Sequence, residues 1–220
     1  MIEYKIVRKQ VKNARIKIDL GFNVTVVIPM NYPSGRLEKL MLEKSIWINK
    51  TIERLKNNIK SIPLSENDIL LFGEIYSFQH DNLVNNRILT YKESKIIKSD
   101  RLLTKDPELL RNWYRHHANK FIPQRIRELA ALHGYEFNRI FIRDQKTKWG
   151  TCSSNRNISL NWRIVLCPQH AADYLILHEL AHLKEMNHSA RFWNEVARTC
   201  PGFKKSKKWL REYEAFIFKY

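Results

Sequence analysis

The sequence predicts an α+β fold, with a β-rich region carrying one long helix over residues 1–105 and a helix-rich part with a small sheet over 106–220. Three observations carry this expectation. Short β-branched runs separated by turn residues crowd the first part, stretches with helical apolar spacing follow, and recognisable caps bracket those stretches.

Taken in order, Tyr4 to Val7, Arg15 to Ile18 and Val24 to Ile28 read as strands, with Gly21-Phe22-Asn23 as turn chemistry before the third. After Pro33-Ser34, the apolar positions Leu37, Leu40, Met41, Ile48 and Ile52 approximate helical spacing over 35–58, and Pro63 closes that region. A second strand group covers Ile69 to Phe72, Ile75 to Phe78, Arg87 to Tyr91 and Lys95 to Lys98, with Gly73 breaking the first pair. Asp106 suits an N-cap and Pro107 the first helical position of a helix reaching Leu132, where Gly134 stops it. Pro123 is expected to kink or divide that helix. The last part reads as a strand (Arg139 to Arg143), a loop, a strand (Ile158 to Trp162) and three helices. Those helices run about Gln169 to Glu185, Ala190 to Thr199 and Lys204 to Phe218, with Ser189 as a cap and Pro201-Gly202 as a break.

The chain has 220 residues, 44% of them hydrophobic, which is enough for a sizeable core. No apolar run is long enough to span a bilayer, and charges interrupt the N-terminus where a signal peptide needs an apolar stretch. The expected location is therefore the cytoplasm. Cys152, Cys167 and Cys200 are odd in number and lack C-x-x-C spacing, so they read as buried free thiols. Lys and Arg outnumber Asp and Glu by 39 to 22, a net charge of +17 spread along the whole chain. That excess favours anionic partners, nucleic acid among them, although a spread charge is often just a solvated surface.

The chemistry gathers at His178-Glu179-Leu180-Ala181-His182. Residues four apart on a helix differ by about 40° in azimuth and about 6 Å in rise, so both histidines share a face and can hold one Zn²⁺. Glu179 follows the first of them, where its carboxylate can serve as general base toward water activated by the metal. The surrounding Tyr174 to Leu177, Leu180, Ala181 and Leu183 make the helix apolar nearly all round, hence buried. Burying two imidazoles and a carboxylate is unfavourable unless they are paired, and a metal supplies the partner.

A catalytic zinc takes three protein ligands. His188 is the favoured third, provided the helix stops before it, and Asn187 suits a left-handed stop. A carboxylate from a following helix, Glu195, Glu212 or Glu214, remains the alternative. The spacing of the three histidines is that of the metzincins. However, Glu185 stands where they carry a helix-breaking Gly, and all four methionines (Met1, Met30, Met41, Met186) precede His188, leaving no methionine turn. The remaining histidines, His80, His116, His117, His133 and His170, read as ordinary surface or core residues.

Together, Arg143 to Ser154, Asn157 to Trp162, His178 to His182, Asn187-His188-Ser189, Phe192-Trp193 and Trp209-Leu210-Arg211 resemble the YgjP-like metallopeptidases, relatives of the SprT-like and WLM zincins. Trp47 and the strand pair around Gly73 also match their layout. The resemblance implies zinc ligands His178, His182 and His188, catalytic Glu179, one Zn²⁺ per chain and a peptide or protein substrate. It makes 106–220 a zincin-like catalytic domain, with its active-site helix beside a small sheet. Cys152 sits where members carry Cys or Ser, which argues against a catalytic thiol. As candidate substrate contacts we take Trp149, Asn161, Tyr174 and Arg143, and the strand over 158–162 as an edge for an extended peptide. Two other readings stay open. One is a nucleic-acid-associated protein, such as a protease of DNA-bound proteins in the manner of SprT-like relatives. The other is a non-catalytic, zinc-stabilised binding module.

Overall fold

The β-branched runs form strands and the capped stretches form helices, in a mixed α+β arrangement. The structure is a computed structural model describing residues 2–19, 21–85 and 87–220, with Asn58 described by its backbone alone. Packing separates two units, Met1–Lys60 and Ser61–Tyr220.

In the first unit, β1 (Tyr4–Lys9) runs parallel to the central β3 (Val24–Pro29), and β2 (Arg15–Ile18) pairs antiparallel on its other side. Val24, Val26 and Ile28 alternate inward from β3 to meet Leu37, Met41 and Ile48 of α1 (Ser34–Asn58).

The second unit opens with a sheet of β4 (Asp68–Leu71), β5 (Glu74–His80), β6 (Ile88–Tyr91) and β7 (Ile96–Ser99), in the order β4-β5-β7-β6. By sequence these strands group with the N-terminal ones. In the structure, Ile69, Leu70, Leu71, Tyr76 and Phe78 share one core with α2 (Pro107–His133) and everything after it. The break in packing therefore lies at 60/61 rather than at 105/106, because shared burial, not strand content, decides what holds together.

Asp106 caps α2 as expected, its carboxylate accepting from the N–H groups of Glu108 and Leu109, and Gly134 ends the helix at φ 70°. Pro123 does not divide it. The missing N–H removes one rung of the ladder, while Ile122 and Ile126, both fully buried, hold the helix on each side.

The third sheet has the order β8-β10-β9, with β8 (Ile140–Arg143), β9 (Gly150–Cys152) and β10 (Ile158–Asn161). β10 is the central strand, parallel to β8 and antiparallel to β9. This corrects the expectation that 158–162 offers a free edge. β9 is read from sequence as loop, since three residues are too few to show alternation. Past β10, a buried 3₁₀ turn (Trp162–Leu166) leads into α3 (Gln169–Ala181), then α4 (Ala190–Thr199) and α5 (Phe203–Ile217).

Two contacts set α3 in place. The β4–β5 hairpin turns on Phe72 and Gly73, both at positive φ, and their N–H groups donate to the carbonyls of Val165 (2.6 Å) and Leu166 (3.2 Å). Pro168, just ahead of α3, packs so closely on Gly73 that a Cβ there would lie 2.7 Å from it. Further along, Arg125 of α2 donates from Nε and Nη2 to both oxygens of Asp173 on α3, at 2.7 and 2.8 Å.

A half-buried titratable group packs against this core. His117 meets the Trp113 ring edge-on at 4.4 Å, and its pKa is pushed down to about 4, chiefly by burial and then by the charges of His116, Lys120 and Lys92. Unfolded, the ring titrates near ~6.5. The unfolded chain therefore takes up a proton that the folded one refuses, so the contribution is complete above about pH 6.5 and fades as pH falls toward about 4. Melting temperature is expected to drop between pH 7 and pH 5, and by less in His117→Phe, as circular dichroism melts would record. An equal drop in both proteins would refute the assignment.

Candidate metal centre and active site

The residues that fill α3 are nearly all buried, from Ala171 and Tyr174 to Leu180 and Ala181, so the helix is enclosed as its composition requires. Regular helix ends at Ala181, earlier than the expected Glu185. His182 is the C-cap, and the next N–H groups bond back to Leu180 and Ala181. Asn187 is not left-handed; the reversal is instead tightened by Ser189 N–H donating to the Asn187 carbonyl at 2.8 Å. Ser189 then caps α4, its hydroxyl accepting from Phe192 N–H at 3.4 Å.

This turn swings His188 back onto the helix. Its Nε2 approaches the Nε2 of His178 to 3.2 Å. One nitrogen from each of His178, His182 and His188 lies within 4.8 Å of the others, and these three form the one such group of potential metal donors found among the described residues. Phe192, fully buried, underlies all three imidazoles with ring centroids 4.9, 4.5 and 4.7 Å away, and Trp193 stacks on His188 at 5.9 Å. His182 directs Nδ1 to the Glu185 carbonyl at 3.1 Å, which fixes its tautomer and leaves Nε2 as the free donor.

The electrostatics favour neutral rings. Burial, then the charges of His182 and His188, push His178 down to about 3, and burial also lowers His182. Lone pairs are thus available at neutral pH. Tetrahedral zinc with Zn–N of about 2.0–2.1 Å holds its ligand nitrogens about 3.3 Å apart. The observed convergence, with three imidazole nitrogens within 4.8 Å of one another, fits such an ion.

Glu179, on the next position of α3, is 6% exposed. β9 crosses directly over it, and a Cβ on Gly150 would lie 2.7–2.8 Å from its Cγ, Cδ and Oε1. Glycine in this strand marks a close approach. Burial pushes the Glu179 carboxyl up to about 8, opposed by the charge of Lys148. A cation at the neighbouring imidazoles would draw it down again and keep the carboxylate ionised.

A buried His-Glu-x-x-His helix with a third imidazole folded onto it is the arrangement of a metallohydrolase. The model of the YgjP-like metallopeptidase domain matches residues 12–213. The chain belongs to the YgjP-like metallopeptidase family. Two metallopeptidase zymogens also resemble it, each at 27% identity. Abylysin of Pyrococcus abyssi aligns over 40% of this chain and 87% of its own, with a TM-score of 0.36. Jannalysin of Methanocaldococcus jannaschii aligns over 42% and 93%, with a TM-score of 0.37. No curated protein matches by sequence.

This YgjP-like metallopeptidase has a cleft of about 520 Å³ beside the histidines, lined by Trp149, Gly150, Tyr174, His178, Glu179 and Glu214 among others. Trp149 and Tyr174 both line it. Tyr174 lies 5.8 Å from the His178 ring, and its hydroxyl is pushed up to about 12, mainly by burial. Trp149 donates its indole N–H to Glu214 at 3.2 Å, and burial raises the Glu214 carboxyl.

Asn161 and Arg143 have other roles. Asn161 is fully buried and donates its amide to the carbonyls of Gln145 (2.7 Å) and Lys148 (2.9 Å), so it shapes the loop carrying Trp149 instead of facing the cleft. Arg143 is exposed, with its guanidinium 4.9 Å over the Phe141 ring, and does not line the cleft. Of the alternative third donors, Glu195 accepts from Tyr135, Lys184 and Arg198, Glu214 is engaged by Trp149, and neither they nor Glu212 join the histidine group. All three cysteines are free; the half-buried Cys152 thiol is raised by burial and then by the Glu179 charge.

Sequence reasoning did not identify Phe192 as the floor of the centre, or Gly150 as the strand glycine against Glu179. The lone glycine in the loop was the available signal for the second. Gly150→Ala is expected to lower turnover about 100-fold with little change in melting temperature. The added methyl meets the movable end of Glu179, which can shift aside cheaply, whereas a displacement near 1 Å is severe for catalysis. Unchanged turnover of a fluorogenic peptide would refute this.

Proposed function

We propose that this metallopeptidase is a zinc enzyme that cleaves peptide bonds, with His178, His182 and His188 holding one Zn²⁺ per chain and Glu179 acting as general base. The convergence of three imidazoles beside a buried carboxylate carries the reading. Zinc held there supplies Lewis-acid activation of water and of the scissile carbonyl. Glu179 accepts the proton of the attacking water at its carboxylate and returns it to the leaving amine. Glu179 is almost wholly shielded from bulk water, and β9 passes so closely over it that Gly150 has no room for a Cβ, which restricts the movement of the carboxylate. Tyr174, protonated at neutral pH, is the hydroxyl-bearing residue among those lining the cleft, and we assign it as donor to the charge that develops on the carbonyl oxygen.

Substrate alignment falls to β9. It is an edge strand of its sheet and passes over Glu179, so an extended peptide can add to it by backbone pairing. Among the described residues, no helix is long and apolar enough to cross a membrane.

The test is metal removal and return. Dialysis against a chelator is expected to abolish cleavage of a fluorogenic peptide pool, and one equivalent of zinc per chain to restore it. Metal-free protein that cleaves as well as the untreated enzyme would overturn the proposal. Restoration by another divalent ion and not by zinc would change the metal assigned.

A further inference from the structure

The positive charge of this chain is not placed at random around the cleft. Lys148 arrives on the loop before β9, while Lys207, Lys208 and Arg211 come from α5, and all four are exposed residues lining the cleft mouth. On α5, Arg211 lies three and four positions beyond the two lysines, so the three cations share one helix face. Leu210 and Glu214 line the cleft from the same helix.

The cations reach the cleft from two separate elements. Lys207 sets its ammonium 4.2 Å over the Trp193 ring, the same ring that stacks on His188. Lys148 directly precedes Trp149 and Gly150, which contact Glu214 and Glu179. None of the four is in an ion pair among the described residues. The two carboxylates in the cleft form no ion pair with them: Glu214 is occupied by the Trp149 indole, and Glu179, which feels the charge of Lys148, lies buried beneath β9. Unpaired cations around a low-dielectric concavity focus an attractive field for anions at its entrance.

We propose that this cleft selects acidic peptide segments, with Lys148, Lys207, Lys208 and Arg211 meeting Asp or Glu side chains on either side of the scissile bond. The proposal rests on the peptidase reading above and names the substrate class for it. A peptide is favoured over nucleic acid because the cations ring a cleft of about 520 Å³, which an extended chain can enter and a duplex cannot. Each exposed pair contributes little singly, and several together amount to about tenfold in affinity at low salt.

The experiment measures binding, so that it does not depend on turnover. Two degenerate peptide pools, alike except for Glu or Gln at four fixed positions, are titrated by fluorescence anisotropy against zinc-loaded protein carrying Glu179→Gln. The Glu pool is expected to bind about tenfold more tightly at 50 mM salt, with the preference shrinking by 300 mM as screening shortens the reach of each charge. Adding K207E, K208E and R211E is expected to invert the order of the pools. Lys148→Glu, on a separate element, is expected to narrow the preference even if the triple variant fails to fold. Equal affinity for both pools, or a preference insensitive to all four positions, overturns the proposal. So does a single-stranded or duplex oligonucleotide that binds more tightly than the Glu pool and displaces it, which would assign the cations to nucleic acid. Cleavage assays on the wild-type enzyme report separately on the peptidase reading: preference without cleavage sinks that reading alone, and cleavage without preference sinks this one.

Discussion

Replacing Glu179 by Gln is expected to lower peptide cleavage by about 10²–10⁴-fold while leaving the metal in place. Glutamine keeps the length and shape of the side chain, so β9 can still pass over it at Gly150 and the packing of α3 is preserved. What disappears is the capacity to accept a proton, because an amide oxygen is a far weaker base than a carboxylate. The imidazoles, on neighbouring positions and a following turn, are untouched, and metal analysis should find the wild-type content. Both measurements belong on the same preparation. Near-wild-type turnover with full metal would remove Glu179 from the mechanism. Loss of metal together with activity would make it a structural support of the centre instead.

His188→Ala is expected to weaken zinc binding by at least about 100-fold, more than the loss of an outer-shell partner does, and to abolish cleavage with it. His188 is the exposed member of the group, so its removal opens no cavity in the core. The melting temperature of the metal-free protein should change little, which separates a ligand defect from unfolding. The contrast is Glu195→Ala. Glu195 accepts from Tyr135, Lys184 and Arg198, and these contacts hold its carboxyl far below the usual range, Arg198 foremost. That change should therefore reduce stability above about pH 4 and spare zinc content. Stoichiometric zinc in His188→Ala with loss in Glu195→Ala would reverse the assignment of the third ligand.

The parts of this protein that were legible in the sequence are those governed by neighbours a few residues apart. Asp106-Pro107 and Gly134 bracket α2 because capping is a local matter of orphan N–H groups and a left-handed residue. Ser189 starts α4 for the same reason. Where two local preferences competed, the outcome was less readable. Pro123 favours a break, yet buried isoleucines on both sides carry the helix through it. Asn187 favours a left-handed stop, yet α3 ends at Ala181 and His182 turns to the Glu185 carbonyl.

By itself, the sequence placed His178 and Glu179 on one buried helix with His182 one turn further on the same side, since a 3.6-residue repeat and apolar flanks favour that arrangement; the structure makes His182 the C-cap. It also determined that a turn must intervene before His188. Tertiary structure alone decided what meets that helix. It put β10 in the middle of its sheet and left β9 as the edge over Glu179, laid Phe192 under the imidazoles, and gathered cations from a loop and from α5 at one cleft. The physical reason is range. Helical periodicity and capping act within a turn or two, whereas the pairing of strands and the meeting of Gly150 with Glu179 depend on how whole elements bury their surfaces against each other.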